Sequence, residues 1–170
     1  LNLDSKKIIL STVHRRENWG EKLNEIATGL KMILENNKNV VLILPMHKNP
    51  KIREVLKTIL GNQINAILCE PLTYNEFVAA LQKSTLVITD SGGIQEEAPS
   101  LGKPVLIIRD STEREEVVNA GVGKIVGTNK NDIYNEVNLL LNDDIAYQKM
   151  SKKINLFNPT FITYYIKGKT

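Results

Sequence analysis

Short apolar runs alternate with longer amphipathic stretches along this chain. Six of the runs are rich in β-branched residues and too short for helices, so they predict buried strands at residues 6–12, 40–44, 64–68, 86–89, 105–108 and 124–126. Apolar residues at helical spacing predict helices at residues 22–36, 50–60, 115–120, 131–142 and 144–153. Two more helices are expected to begin after Thr73, which has a capping-box pattern, and at about Ile94. This alternation indicates the α/β class: a Rossmann-like open parallel sheet with helices on both faces.

Clusters of polar residues follow five of the predicted strands. In open α/β sheets, ligands bind outside the carboxyl ends of the strands, near a switch in strand order. The clusters are residues 14–16, His47, residues 72–77, residues 91–97 and residues 109–114. Because the carboxyl ends of parallel strands meet at one edge of a sheet, we expect the functional site at that edge.

The stretch after the fourth strand predicts an anion site. Ser91, Gly92 and Gly93 form a tight turn between the strand and a helix expected to begin at about Ile94. The first N–H groups of a helix lack partners within it, and the helix dipole favours negative charge at that end. Glycines also let a ligand approach the backbone closely because they have no Cβ. We therefore expect a phosphate there, although Ser-Gly-Gly also occurs in ordinary strand–helix turns.

Composition narrows the classes of function. The chain has 170 residues, 42% of them hydrophobic, and a net charge of +3, which fits one globular domain. Its lysines are scattered without interleaved aromatic residues, so nucleic acid is not an expected partner. With no long apolar span or signal peptide, we expect a cytoplasmic protein without a membrane partner. The two histidines and single cysteine lack ligand spacing, so no metal site is expected, and Cys69 is interpreted as a small core residue.

Three cationic side chains in these clusters have both a binding and a structural interpretation. His14 lies next to two arginines that suit phosphate oxygens, but an isolated His-Arg-Arg is also typical of a solvated loop. His47 fits a ligand contact and a structural loop residue about equally. Arg114 could clamp a phosphate, although a pair with the adjacent Glu113 is slightly favoured by the sequence alone.

Aromatic and acidic side chains leave similar alternatives. Tyr74 and Phe77 could stack on a base, but the helical spacing of Phe77 and Leu81 is more typical of core. Glu97 could accept hydrogen bonds from ribose hydroxyls, as acidic residues do in other nucleotide-binding sheets, or it could face solvent on its helix.

Three motifs resemble one enzyme family. They are HRREN at residues 14–18, MHKNP at residues 46–50 and TDSGGIQEEAPSLGKP at residues 89–104, and RDSTER at residues 109–114 adds to the match. Together they resemble the non-hydrolysing UDP-N-acetylglucosamine 2-epimerases over roughly residues 6–150. That family has two Rossmann-like domains in the glycosyltransferase-B arrangement, with the active site between them. The resemblance is to the C-terminal, UDP-binding domain, which we place at residues 1–153.

The resemblance implies a reaction and a set of residue roles. The family interconverts UDP-GlcNAc and UDP-ManNAc by eliminating UDP and adding it back, without a metal or nicotinamide cofactor. His14 would be a catalytic residue. Substrate binding is implied for Leu72, Phe77, Ser91, Gly92, Gly93, Glu97 and Arg114. Arg15 and His47 match positions that, in some bacterial members, bind a second UDP-GlcNAc as an allosteric activator.

The resemblance also implies what lies elsewhere. The N-terminal domain, with the carboxylates that transfer protons, has no counterpart in this chain, so we expect UDP binding but no epimerisation by the chain alone. A homodimer is one assembly that we consider. Residues 154–170 depart from the family's closing turn and terminal helix and are interpreted as a divergent tail.

Two other functions stay open at this point. A donor-nucleotide domain of a glycosyltransferase-B enzyme would share the sheet and the nucleotide site but would transfer the sugar to an acceptor. A non-catalytic module that senses UDP-sugars would bind without reacting. The motif at residues 14–18 argues against the glycosyltransferase.

Overall fold

In the computed structural model, which describes residue 3 and residues 5–156, six strands form one sheet with helices between them. The strands are β1 (Lys7–Thr12), β2 (Val40–Pro45), β3 (Ala66–Cys69), β4 (Leu86–Thr89), β5 (Val105–Ile107) and β6 (Gly123–Ile125). The helices are α1 (Glu21–Asn36), α2 (Pro50–Leu60), α3 (Tyr74–Lys83), α4 (Gly92–Ser100), α5 (Glu115–Asn119), α6 (Lys130–Asn142) and α7 (Asp144–Met150).

The strand order is β3-β2-β1-β4-β5-β6, and every neighbouring pair is parallel. The chain moves outward from β1 in one direction and then returns to start again at β4 on its other side. The crevice of a doubly wound fold therefore lies between the carboxyl ends of β1 and β4. The predicted α/β class and parallel sheet are confirmed.

Alternate residues of each strand pack on opposite faces of the sheet. Ile9 and Ile88 belong to the larger core, which α1, α2 and α6 cover. Leu10 and Val87 belong to the smaller core, under α3, α4 and α5. Each fully buried Leu or Ile side chain contributes roughly 1.5–3 kcal/mol to stability. Helices on both faces explain why the central strands are continuously apolar.

The start of α3 follows its sequence signal. The Thr73 hydroxyl accepts a hydrogen bond from the backbone N–H of Glu76, and the Glu76 carboxylate accepts one from the backbone N–H of Thr73 at 2.8 Å. This reciprocal capping box confirms the prediction. It fixes the connection between β3 and α3, which forms one side of the crevice described below.

The predicted boundaries of the third strand, of α4 and of the last helix are wrong; α7 ends at Met150 instead of residue 153. The third strand is Ala66–Cys69 instead of residues 64–68; Ile64 precedes it and is 91% exposed. Its position is set by pairing with β2 and by Asn65, whose side chain donates to the carbonyls of Leu34 and Val40. Those partners are distant in sequence, so local apolar pattern does not reveal them.

Helix α4 begins earlier than predicted. Ser91 is the extended N-cap residue, and Gly92 and Gly93 already form the first turn of the helix. Neither glycine adopts a positive φ, so the expected tight glycine turn does not exist. Pro99 lies in the last turn of the helix, where its ring nitrogen cannot donate a helical hydrogen bond, and the helix ends one residue later at Ser100.

The described chain ends against α4. The backbone N–H of Ile154 donates to the carbonyl of Pro99 at 3.0 Å. The divergent tail expected at residues 154–170 lies, from residue 157 onward, outside the described residues. Within residues 5–156, no helix combines the length and apolar character needed to cross a bilayer.

Candidate functional site

A cleft of about 340 Å³ lies at the carboxyl ends of β1 and β4, at the switch point of the sheet. The ends of β1 and β2, the β3–α3 connection and the start of α4 form it. Its lining residues are Thr12, His14, Pro45, Pro71, Leu72, Tyr74, Phe77, Ser91, Gly93, Ile94 and Glu97. The structure thus brings His14, Leu72, Phe77, Ser91, Gly93 and Glu97, all predicted from sequence, into one cavity.

One wall of the cleft is the N-terminus of α4. Ser91 makes no side-chain capping bond, and the first intrahelical bond of the turn is from the Gln95 N–H to the Ser91 carbonyl. The N–H groups of Gly92, Gly93 and Ile94 thus precede the first helical bond and are available to a ligand. The first turn holds no acidic residue, so its positive potential is not locally neutralised.

Arg114 lies beside this helix start. A methyl group on Gly92 would lie 3.7 Å from Nη2 of Arg114. The Nε of Arg114 donates to the Glu96 carboxylate, and its backbone N–H donates to the Thr112 hydroxyl at 3.1 Å. Glu96 therefore holds the guanidinium by its Nε, near the first turn of α4. The pair with Glu113 that the sequence slightly favoured is wrong.

Glu113 is instead bound by Arg109. The Arg109 guanidinium donates two hydrogen bonds to Glu113, at 2.7 and 3.0 Å, and one from Nε to Glu17 at 2.7 Å. These bonds lower the pKa of Glu113 to about 2 and raise that of Arg109. Arg109 is 6% exposed and joins the loops after β1 and β5, so its role is structural.

The opposite wall of the cleft is formed by side chains at the start of α3. Leu72, Tyr74 and Phe77 line it, and Phe77 also packs against the smaller core. The core interpretation of Phe77 is therefore confirmed, and its stacking on a base stays a prediction. The wall is apolar and aromatic, which suits the flat face of a base.

Glu97 lies between the two walls. It is half-buried, and burial followed by the nearby Glu96 carboxylate raises its pKa, while a hydrogen bond with Tyr74 acts the other way. The alternative of a solvent-facing helix charge is wrong. A partly dehydrated carboxylate in a cleft is a strong acceptor for hydroxyl donors.

His14 enters the cleft from the loop after β1. Burial lowers the pKa of His14, and the nearby His47 lowers it further, while Asp90 acts in the opposite direction. The ring is therefore mainly neutral near pH 7, with one nitrogen able to donate and one able to accept. That state permits proton exchange with a bound ligand.

Asp90 is a residue of the site that sequence reasoning missed. It follows β4 directly and is fully buried, and its carboxylate accepts hydrogen bonds from the loop that carries His14. A signal existed: an acidic residue immediately after an apolar strand, at the edge where ligands bind. The sequence pattern instead indicates the Ser-Gly-Gly that follows it as the binding site.

Arg15 and His47, predicted as an allosteric pair, do not line the cleft. The His47 ring packs edge-on against Trp19 with centroids 5.7 Å apart and lies 5.9 Å from His14. The Nδ1 of His47 accepts from the Asn49 N–H, and Nε of Arg15 donates to the Asp90 carbonyl at 2.9 Å. His47 therefore lies next to His14, and Arg15, which follows His14 in the chain, contacts the end of β4; neither belongs to the lining residues. A role for them in regulation stays a prediction.

Metal ligation has no candidate in the described part of the chain. Among residue 3 and residues 5–156, no three His, Cys, Asp or Glu side chains are grouped so as to hold a metal ion. Cys69 is half-buried at the end of β3, and burial raises the pKa of its thiol. It is thus a partly covered residue instead of the core residue that was expected.

Comparison with known proteins decides the family. The family model described as UDP-N-acetylglucosamine 2-epimerase matches residues 1–160. The chain belongs to this family. A UDP-N-acetylglucosamine 2-epimerase of Campylobacter jejuni is 47% identical over an alignment 171 residues long, which covers 98% of this chain and 45% of the relative.

Solved structures of epimerases share the fold. A UDP-N-acetylglucosamine 2-epimerase described as putative, from Listeria monocytogenes, is 42% identical with a TM-score of 0.91, over 97% of this chain and 44% of that one. The Neisseria meningitidis UDP-GlcNAc 2-epimerase bound to UDP-GlcNAc is 38% identical with a TM-score of 0.89, over 97% of this chain and 46% of that one. The chain spans less than half the length of these epimerases.

The fold alone extends to glycosyltransferases. The C-terminal domain of a group 1 glycosyltransferase from Francisella tularensis has a TM-score of 0.70 at 13% identity, over 96% of this chain and 87% of that domain. The epimerase-family chain is thus one Rossmann-like half of the glycosyltransferase-B arrangement, as predicted.

Proposed function

We propose that this chain binds UDP in the cleft and is the nucleotide-binding part of a UDP-N-acetylglucosamine 2-epimerase. One observation carries the proposal: the uncapped start of α4, Arg114 beside it and the apolar wall of α3 converge on one cavity at the switch point. Membership in the epimerase family favours UDP over other nucleotides. The reaction would be the interconversion of UDP-GlcNAc and UDP-ManNAc.

The diphosphate belongs at the start of α4. The N–H groups of Gly92 and Gly93 can donate to its oxygens, since a helix N-terminus is a preformed anion site. Arg114 keeps its two Nη groups for the same oxygens because Glu96 binds only its Nε. Cleavage of the sugar–phosphate bond develops negative charge on the diphosphate, and donors already in place stabilise that charge without reorganisation.

The nucleoside belongs between the two walls. Phe77 would pack on the uracil ring, and the backbone of Leu72 would bind its edge. Glu97 would accept hydrogen bonds from the ribose hydroxyls. Burial removes water from this carboxylate and raises its pKa, and the hydroxyl donors would replace part of that lost hydration. This order places the sugar at His14, on the far side of the diphosphate from the base.

His14 is the proposed catalytic residue of this chain. Its neutral ring can donate a hydrogen bond to the leaving diphosphate oxygen or accept a proton from the sugar. The carboxylates that exchange the C2 proton would come from a partner domain, and a homodimer is a further proposed assembly. Arg15 and His47, behind His14, are the proposed site for a second UDP-GlcNAc.

Calorimetric titration with UDP, UMP and ADP tests the binding proposal. UDP should bind more tightly than UMP, because UMP lacks the second phosphate at α4. It should also bind more tightly than ADP, because a purine is too large for the space beside the α3 wall. Ser91→Asp should abolish UDP binding by placing a like charge at the helix start. Ser5→Asp, the same substitution at an exposed position that does not line the cleft, is the matched control and should leave UDP binding unchanged. Equal affinity for UDP and ADP would refute the assignment.

The catalytic part needs a second experiment. The chain is mixed with the isolated N-terminal domain of a family member, and UDP-ManNAc formation from UDP-GlcNAc is followed by NMR. Product should appear only in the mixture and should be lost with His14→Ala. If sugar were instead transferred to an added acceptor, the glycosyltransferase alternative would hold. UDP binding without either reaction would favour a UDP-sugar-sensing module.

A further inference from the structure

Asp90 is fully buried, yet it does not line the cleft. Carboxylates are almost never buried completely unless donors surround them, because an unpaired buried charge is costly. The proposed function uses Ser91, Gly92 and Gly93 immediately after it but leaves Asp90 without a task. Its hydrogen bonds show what it touches.

Four hydrogen bonds reach the Asp90 carboxylate, all from the loop after β1. The backbone N–H of His14 lies 3.0 Å from both carboxylate oxygens, and that of Arg15 lies 2.9 Å from Oδ2. The amide Nδ2 of Asn18 donates to Oδ2 at 3.0 Å. Consecutive N–H groups that converge in this way form an anion-binding nest, and here the anion is a side chain of the protein itself.

The same contacts join three strand ends. Nδ2 of Asn18 also donates to the carbonyl of Ile108, just after β5, at 3.0 Å. The Nε of Arg15 donates to the backbone carbonyl of Asp90. The loop that carries His14 is therefore attached to the end of β4 through backbone N–H groups and the side chains of Arg15 and Asn18, and not through the imidazole.

We propose that Asp90 is a positioning residue: it holds the backbone of residues 14–15 in place and thereby keeps the His14 ring at the cleft. This inference rests on the function proposed above for the cleft. The link between Asp90 and His14 itself needs no ligand, so it can be tested separately. The competing explanation is that Asp90 acts on His14 only as a nearby negative charge.

Titration of His14 by NMR in the whole chain separates the two explanations. The chain has two histidines, so a His47→Gln variant assigns the His14 resonance. Asp90→Asn keeps the size of the side chain. It replaces the two acceptor oxygens that face the backbone N–H groups of His14 and Arg15 with one acceptor oxygen and one N–H₂ donor. If Asp90 positions the loop, the variant exposes His14, and its pKa rises toward the ordinary value of 6.5, because burial is the largest cause of its depression. If Asp90 acts only as a charge, the pKa falls further.

UDP titrations complete the experiment. In Asp90→Asn, UDP should bind about tenfold more weakly, the equivalent of one lost hydrogen bond to a charged group, and should shift the His14 resonance less than in the unmodified chain. Asp143→Ala, which removes an exposed helix cap away from the cleft, controls for lost stability and should leave both readouts unchanged. If Asp90→Asn does not fold, Asn18→Ala removes one of the four bonds and should move the His14 pKa in the same direction by less.

The outcomes are distinct. A His14 pKa that falls or stays constant in Asp90→Asn would overturn the positioning role. If the unmodified chain does not bind UDP, the proposed function fails, while the titration of ligand-free His14 still decides what Asp90 does. A raised His14 pKa together with a reduced UDP response supports both proposals.

Discussion

The two walls of the cleft recognise a ligand in different ways. The wall at α4 offers backbone N–H groups from Gly92 and Gly93, positioned by the helix itself. The wall at α3 offers side chains, Leu72, Tyr74 and Phe77, positioned by a capping box. The backbone N–H groups of the α4 wall can be blocked only by an added side chain, whereas the side chains of the α3 wall, and Arg114 beside α4, can be removed. The two kinds of substitution therefore probe different parts of the cleft.

The walls also differ in what they recognise. Under the proposed function, the α4 wall selects for charge and not for the nucleoside, since its dipole and Arg114 would act on phosphate oxygens. The α3 wall is apolar and indifferent to charge. Inorganic pyrophosphate, which has a diphosphate and no base, therefore probes the α4 wall alone.

The largest effect is expected for Arg114→Ala. It removes the cationic side chain of the α4 wall, and losing charge-assisted hydrogen bonds worth roughly 1.5–3 kcal/mol should weaken UDP and pyrophosphate about 10- to 150-fold alike. Calorimetry with both ligands measures this. Lys124→Ala, which breaks an exposed ion pair with Glu136 on α6, is the matched control and should change neither affinity. A loss confined to UDP would show that Arg114 does not serve the diphosphate.

Phe77→Ala should give the next largest effect, and for one ligand only. Loss of the ring removes base packing worth about 1–3 kcal/mol, so UDP should bind roughly 5- to 150-fold more weakly. Pyrophosphate affinity should be unchanged, which is the control within the same protein. An equal loss for pyrophosphate would mean that the two walls are not independent.

Glu97 predicts a pH dependence. Its pKa is raised by burial, so this carboxylate, which we propose binds the ribose, is protonated at a higher pH than an ordinary glutamate. UDP affinity should therefore fall as the pH drops through that raised value. Because UDP itself takes up a proton at low pH, the measurement is the difference between the unmodified chain and Glu97→Gln at each pH. The two should converge as the pH falls. A constant difference would exclude Glu97 as the titrating group.

The same group has a defined effect on stability. A carboxyl group whose folded pKa is raised binds more protons when folded than when unfolded, so its contribution to stability falls as pH rises from the ordinary value through the raised one. Glu97→Gln removes this contribution. The gain in the free energy of unfolding of the variant over the unmodified chain should therefore be larger at neutral pH than at acid pH. Urea denaturation at both pH values provides the check.

The smallest expected effect belongs to Gly93→Ala. The new methyl group meets no atom within 4 Å, and alanine favours helix, so stability should rise by about 0.5 kcal/mol. The methyl projects where the diphosphate approaches, so both UDP and pyrophosphate should bind a few-fold more weakly. A stabilised protein with unchanged affinities would place the diphosphate elsewhere.

Local patterns determined much of the fold. Apolar runs located the strands of the parallel sheet, and Leu86–Thr89 and Pro50–Leu60 have the boundaries that the sequence predicts. The apolar runs locate the strands because a strand covered by helices on both faces must be apolar throughout. Polar clusters after those strands located the cleft, since parallel strands bring their carboxyl ends together. Motif resemblance then indicated the epimerase family, which the comparisons confirm.

Only the tertiary structure decided which charged residues pair. Arg109 binds Glu17, 92 positions away, and Arg114 binds Glu96 instead of its neighbour Glu113. Asp90 binds the backbone of His14 and Arg15 across the switch point of the sheet. Hydrogen bonds depend on distances of about 3 Å between groups that are far apart in the chain, and periodicity along a sequence contains no information at that scale. The sequence thus determined where the site is, and the packing of its loops determined how the site is held.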